Sequence, residues 1–558
     1  MNELKTAIKK IIAVMMCILI TVSLFSGCSS KSTKIDFIYP FSGDIKSFDP
    51  QIASTADEFL IIENCFEGLV RVNDDGSVQA GVAKTWDISD DGKTYTFHLR
   101  QGAKWNVQSK DAENITAAQK LMGTAFNPDI TANDFVFALR RACEKNTDAP
   151  LFSSISNIVN ASDIHSGKKS SSELGATALD DYTLEIKLKS ADSGFLNVLS
   201  TAIAMPCNEE YFNATKGRYG LGLDYSIFNG QFYITNVLES SYVLKKNSQY
   251  VGDFPSHVTD LTLKITDGTE DTVKNLKSGY YDSAYITGQE YEQLKNEKIT
   301  AINYTDATLA MILNKNNTIF TNDKLRQAVC LSISDIDTSE TDYLSRATCF
   351  TPPSCVIGTK SANEVMGATV YKQNINKAQK IWKEGLNELG ASKADFTVIA
   401  TQEYEDVVKE LVQGIQAGVG SVSTYGNDNE HKISFSLKIN ILSEDEYQTA
   451  LSNGEYDIAL YKFKATNQNS LNFLNTIING NYMGTVASAI SALKKAQSTS
   501  ADKLAQSTKK CEKAILSDYS IKPVLYESSY YAEAQGVKNV QFHPGSGRVS
   551  FVNATREE

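Results

Sequence analysis

Residues 451–461 read LSNGEYDIALY, and residues 276–286 read LKSGYYDSAYI. Each stretch closes a helical run at a Gly, adds an aromatic–Asp pair, and continues as a strand. Gly supplies the left-handed cap that stops a helix. The chain therefore writes one helix-to-strand corner twice, 175 residues apart. Open α/β sheets bind ligands in crevices beyond their strand ends, so two such regions facing each other would make a cleft. The plainer alternative is that Gly-Tyr-Asp after a helix is ordinary punctuation.

Around these corners the chain reads as mixed α/β. Upstream lie a strand at 35–39 and a capping box from Thr55 to Glu58 that opens a helix. Asp75-Gly76 and Asp91-Gly92 each turn a hairpin, and residues 94–100 alternate apolar Tyr95, Phe97 and Leu99 with polar neighbours. Residues 106–128 break the pattern and read as an inserted surface loop with a helical turn. Thr131 and Asp134 then cap a helix carrying Phe135, Phe137, Ala138 and Arg141, and 182–188 is another alternating strand. One αβ region runs from about 226 to the first corner, and a second runs from about 306 to the other corner. Helices at 484–498 and 501–517 and an apolar stretch at 521–525 close the chain.

Bulk composition narrows the function classes. With 558 residues, 42% hydrophobic and 22% charged, the chain is long enough to bury several cores. A net charge of -12 argues against nucleic acid, which is bound through Lys and Arg patches. At the N-terminus Lys5, Lys9 and Lys10 precede the apolar residues 11–25, a run short for a mature membrane span. Ser26 and Gly27 then lead into Cys28 and a Ser/Lys tether. This resembles a bacterial lipoprotein signal, with Phe25 where Leu is usual. It implies removal of 1–27 and a lipid, with palmitate, on Cys28. An ordinary secretory peptide or an uncleaved anchor is the alternative. Seven Cys lie beyond Cys28, an odd number in scattered positions. Cys349 and Cys355 could close a small disulfide loop; otherwise the seven are buried, inert thiols.

Several blocks, in order, carry a resemblance. They are SFDPQ (47–51), the long block 64–105 from NCFEGLV to RQGAKW, and ITANDFVFALRR (130–141). NGQFYI (229–234), LKSGYYDS (276–283), LRQAV (325–329), SNGEYDIAL (452–460), NFLNTI (472–477) and IKPVLY (521–526) follow. Together they make the chain similar to the extracytoplasmic solute-binding proteins of peptide ABC transporters, the oligopeptide- and dipeptide-binding family 5. The resemblance implies an α/β, periplasmic-binding-protein-like type II fold: two lobes around a cleft, with an extra subdomain. It implies a discontinuous first lobe from 28–62, 205–305 and 516–558, an additional subdomain at 63–204, and a second lobe at 306–515. Such a protein captures a peptide, delivers it to ABC permease subunits, and needs no cofactor or metal. It works as a monomer, held by its lipid on the outer face of the cell membrane.

The resemblance also places a site. The cleft strand would be Tyr461, Lys462, Phe463, Lys464 and Ala465, pairing with the peptide's main chain. Main-chain groups are the same in every peptide, so pairing them gives affinity without sequence preference. Asp44 and Ile45 would contact ligand from the first lobe, and Phe463 and Tyr447 would be pocket aromatics or plain core. Lys462 and Lys464 could attract a carboxylate or stay solvated. One departure stands out. Members that bind free peptides carry an Asp shortly after the cleft strand, facing the ligand's ammonium. Counting back from Phe473, Leu474 and Asn475, that position is Thr466, and no acid lies within two residues of it. Either the ammonium is met elsewhere, with Asp44 a candidate, or the ligand is a glycan, a metal chelate or a modified peptide without a free amine.

Nothing in the sequence asks for catalysis. The five His are far apart, without metal-ligand spacing. Gly92-Lys93-Thr94 lacks the earlier Gly of a phosphate loop. The Ser-x-x-Lys matches at 491–494 and 507–510 have no accompanying Lys-Thr-Gly.

Overall fold

The computed structural model describes residues 35–557 except 74–76, 107–116, 124–125, 193, 269, 358–359, 427–428, 466–467, 481–485, 498–500 and 544–547. Cys28 and the leader therefore lie outside the described residues, as does Thr466. Among the described residues no helix is long and apolar enough to cross a membrane.

Three sheets organise the molecule. In the first, the strand Asp36–Phe41 runs parallel to Asp260–Ile265, followed by Ser241–Lys246 and Phe232–Leu238. The second is a small antiparallel sheet in the order Ala83–Ile88, Thr94–Leu99, Thr183–Lys187 and Ala176–Asp180. Both pack into one apolar core that includes Phe37, Phe97, Phe135, Phe232 and Phe551. The capped helix Ala132–Cys143 sits in that core, and Thr131 N–H donates to Asp134 Oδ2 at 2.7 Å to start it. The 106–128 insertion contributes the short helix Ala117–Met122.

The third sheet is the largest. Its order is Ser283–Ile286, Ile521–Glu533, Thr300–Leu313, Ile458–Lys464, Lys393–Thr401 and Ser434–Leu442, with Leu344–Arg346 also paired to Ile521–Glu533. Helices cover both faces. Asp323–Ser332, Ile375–Leu389 and Glu405–Gly418 bury one face, around Trp382 and Phe396. Glu444–Asn453, Ser470–Asn479, Ala487–Gln497 and Ala501–Leu516 bury the other, around Phe350 and Phe473.

Two strands in this sheet exceed what the sequence announces. Thr300–Leu313 is 14 residues long and Ile521–Glu533 is 13, and every residue of the latter is buried. Their ends enter the first core through Tyr304 and Tyr531, while Leu309, Met311 and Leu525 belong to the far one. The pair thus ties the two halves together. Its register shifts between Tyr304 and Ala307, a local irregularity of the kind that bends a strand.

The repeated corner does one job twice. Gly279 and Gly454 both take φ +69°, the left-handed conformation Gly adopts without a Cβ penalty. Three residues on, the Asp carboxylate pins a neighbouring strand. Ile38 N–H donates to Asp282 Oδ2 at 2.6 Å, and Thr397 N–H donates to Asp457 Oδ2 at 2.8 Å. Ile38 lies in the first strand of the first sheet, and Thr397 in the strand beside Ile458–Lys464.

The seven described cysteines form no disulfide, and all are buried. The Cys349–Cys355 loop is not a disulfide; Cys349 Sγ instead meets Gly367 O at 2.9 Å. Burial, then the Asp306 and Glu512 carboxylates, push the Cys355 thiol up to about 12. That keeps it protonated and unreactive.

Candidate functional site

The strand Ile458–Lys464 has one satisfied edge and one open edge. Along Thr300–Leu313 it pairs fully and antiparallel, from Ala307 opposite Lys464 to Leu313 opposite Ile458. On its other side Lys393–Thr401 pairs only with Ile458 and Ala459. Ala465 N–H donates to Asp306 O at 2.8 Å and Asn314 N–H to Asp457 O at 2.9 Å, which fixes the alternation. Odd-numbered residues turn their main-chain groups toward Thr300–Leu313, and even-numbered ones turn away. The Leu460 carbonyl is taken by the Tyr447 hydroxyl at 2.5 Å. The N–H and C=O of Lys462 and Lys464 are left with no neighbouring strand among the described residues.

This edge ends at a cavity of about 510 Å³ between the two halves of the molecule. Tyr39, Ser42 and Asp57 line it from the first core, and Asp306, Lys464 and Ala465 from the large sheet. The helix Ala56–Cys65 shapes the near wall. Its Asp57 Oδ2 accepts from Ser42 Oγ at 2.6 Å and from Asp44 N–H at 2.9 Å. Glu58 accepts from the main-chain N–H groups of Lys46, Ser47, Ser54 and Thr55. Burial alone would raise the Glu58 pKa, but those donors outweigh it and hold the carboxyl below its ordinary value. The 44–47 segment is thereby locked in place.

The residues expected to form the site fall in different environments. Asp44 is exposed, and its carboxylate is not among the groups lining the cavity. Ile45 is half-buried against the first core. Tyr447 and Phe463 lie in the apolar layer under the large sheet, Phe463 at 3% exposure with its ring edge-on to Phe350 at 5.0 Å. An open aromatic wall at Phe463 is therefore replaced by core packing. Tyr461 is half-buried, its ring 4.6 Å from that of Phe463, and it lines a separate cavity of about 570 Å³ with Asn314 and Tyr456. Ala465 is buried at the cavity wall.

Both lysines are exposed to solvent, and each is also ion-paired within the chain. Lys462 Nζ lies 2.9 Å from both Glu527 Oε1 and the Tyr404 hydroxyl. Burial pulls the Lys462 pKa down, but Glu527, joined by Glu403 and Tyr285, outweighs it, and the ammonium stays above its ordinary value. Lys464 Nζ donates to the Tyr285 hydroxyl at 2.5 Å and stands 3.5 Å from Asp306 Oδ2. Burial lowers this ammonium too, and Asp306 and Tyr285 together more than restore it.

Asp306, Glu527, Tyr285 and Tyr404 were not found from the sequence. The available signal was composition: Asp306 is the one acid in the run 300–313, and Asp is scarce within strands. Burial raises the Asp306 pKa, and Lys464 recovers only part of that shift.

Comparison with known proteins gives these elements a family. Residues 77–484 match the model described as bacterial extracellular solute-binding proteins, family 5, middle. The oligopeptide-binding protein OppA of Bacillus subtilis is 24% identical over 91% of this chain and 90% of its own. The oligopeptide-binding protein AmiA of Streptococcus pneumoniae is 27% identical over 52% of this chain, and the match spans 44% of that protein. Among solved structures, the substrate-binding domain of an oligopeptide ABC transporter from Bacillus anthracis aligns with a TM-score of 0.67 at 23% identity, covering 94% of this chain and 99% of that one. Listeria monocytogenes OppA bound to peptide aligns at 0.66 and 22%, covering 94% and 100%. The fold is thus α/β, periplasmic-binding-protein-like type II. The chain belongs to the family 5 bacterial extracellular solute-binding proteins, a binding rather than a catalytic family.

Proposed function

We propose that this protein is the substrate-binding component of an ABC importer and captures oligopeptides by adding their main chain to the open edge at Lys462 and Lys464. The observation that carries this reading is the pair of N–H and C=O groups turned away from Thr300–Leu313 beside an inter-core cavity. Buried main-chain groups need partners, and an extended peptide supplies them for any sequence. The relatives named for peptide binding support the ligand class. Residues 28–62, 205–305 and 516–558 form one lobe in this reading, 63–204 an attached subdomain and 306–515 the opposing lobe. Closure bends Thr300–Leu313 and Ile521–Glu533 where their register shifts. Cys28 carries the lipid that holds the protein at the outer face of the membrane, within reach of the permease. The 44–47 segment closes over the ligand from the first lobe.

Native mass spectrometry and calorimetry of the mature chain with a mixture of short free peptides test this. Binding at about micromolar Kd, near -8 kcal/mol, with little preference among side chains is the expected result. A folded protein that takes no peptide, but takes a glycan or a metal chelate, would overturn it.

A further inference from the structure

The apolar stretch at 521–525 contains one charged residue, Lys522. It sits in the long strand Ile521–Glu533, opposite Met311, at the end remote from Tyr531 and the first core. Lys522 is 5% exposed. Among the described residues its hydrogen bond goes to the Tyr371 carbonyl, and no carboxylate is ion-paired with it. An ammonium offers three donors, and a buried charge is costly unless paired and hydrogen-bonded. Burial accordingly holds the Lys522 pKa below the ordinary lysine value; Arg346 adds to this, while Cys330 and Asp335 pull the other way.

This lysine lines a cavity of about 250 Å³ on the outer side of the large sheet. The cavity shares no described lining residue with the inter-core cavity. Its lining holds two further cations, Arg346 and Lys372, against one acid, Asp335. Asp335 is exposed and ion-paired with Arg346, so it does not neutralise the buried amine directly. Ile333, Val370, Pro523 and Val524 make the rest of the wall largely apolar. Ligand sites typically combine such walls with a few placed polar groups.

We propose that this cavity is a second ligand site, for a small organic monoanion whose carboxylate meets Lys522 and Arg346 and whose apolar body lies against Ile333, Val370 and Val524. The carboxylate supplies the buried amine with the counter-charge that the chain does not provide, in a sheltered place where a charge-assisted bond is strong. The apolar wall favours an organic acid over a fully hydrated inorganic ion. The site goes beyond the peptide reading and does not depend on it.

Three probes on the mature chain, followed by ligand-observed NMR, test it: isobutyrate, its uncharged isostere isobutyramide, and inorganic phosphate. The expected result is isobutyrate binding at about millimolar Kd, with isobutyramide and phosphate each at least about tenfold weaker. Lys522→Met puts an apolar chain of similar length into the same wall, and urea denaturation checks that it folds. It should abolish the preference for isobutyrate over isobutyramide, whereas Lys522→Arg, which keeps the charge, should retain it. If Lys522→Met does not fold, Arg346→Gln, at an exposed side chain, carries the test and should reduce the preference about threefold. Isobutyrate binding that these variants leave unchanged places the acid elsewhere and overturns the proposal. Isobutyramide or phosphate bound as tightly as isobutyrate also overturns it, as does the absence of any isobutyrate signal.

Discussion

Replacing Phe463 with alanine is expected to cost about 3–5 kcal/mol of stability and to leave ligand affinity nearly unchanged. The ring is 3% exposed and packs edge-on against Phe350, which in turn meets Phe473 at 5.4 Å. Removing it opens a cavity where three aromatic rings interlock, in a layer that the helices cannot readily collapse to fill. Its main chain faces Thr308 of the adjoining strand, so none of its groups belongs to the open edge. Phe463→Leu should cost less, about 1–1.5 kcal/mol. Urea denaturation gives the stability, and calorimetry well below the unfolding temperature gives the affinity. A large loss of affinity without loss of stability would return Phe463 to the pocket wall.

Alanine at either corner Asp should cost about 2–4 kcal/mol. In Asp282→Ala the Ile38 N–H loses its acceptor, and the Arg556 guanidinium loses the carboxylate it pairs with. In Asp457→Ala the Thr397 N–H and the Asn317 side-chain amide, 2.6 Å from Oδ1, are both stranded. Asp282 and Ile38 are in the interior or close to it, so water does not fully replace the missing oxygen. The Asn variants keep one acceptor oxygen and should fall between wild type and Ala. Denaturation midpoints within about 0.5 kcal/mol of wild type for both Ala variants would mean that the corners are punctuation only.

These corners were legible because their chemistry is local. A Gly that must adopt φ +69° and an Asp three residues later stand within one short window. The same holds for the Thr55–Glu58 box and for the two hairpins, where Val70–Val72 pairs with Val78–Ala80 and Ala83–Ile88 with Thr94–Leu99. The two long strands were not legible. Ile521–Glu533 buries Lys522, Glu527, Ser528, Ser529 and Glu533 among its 13 residues, so it lacks the alternation that marks a half-buried strand. Its polar groups are satisfied by partners far away in sequence, such as Lys462 and Tyr404 for Glu527. Asp306 was missed for the same reason. The environments of Lys462 and Lys464 follow from Glu527 and Asp306, and no reading of residues 461–465 alone could supply them.

Residue-resolved hydrogen exchange of the mature protein, with and without a bound peptide, tests the main-chain edge most directly. The amides of Lys462 and Lys464 should exchange rapidly in the free protein and become protected on binding. Those of Tyr461 and Phe463, already turned toward Thr300–Leu313, should be slow in both states. Saturating peptide that leaves the Lys462 and Lys464 amides as fast as before would contradict the account.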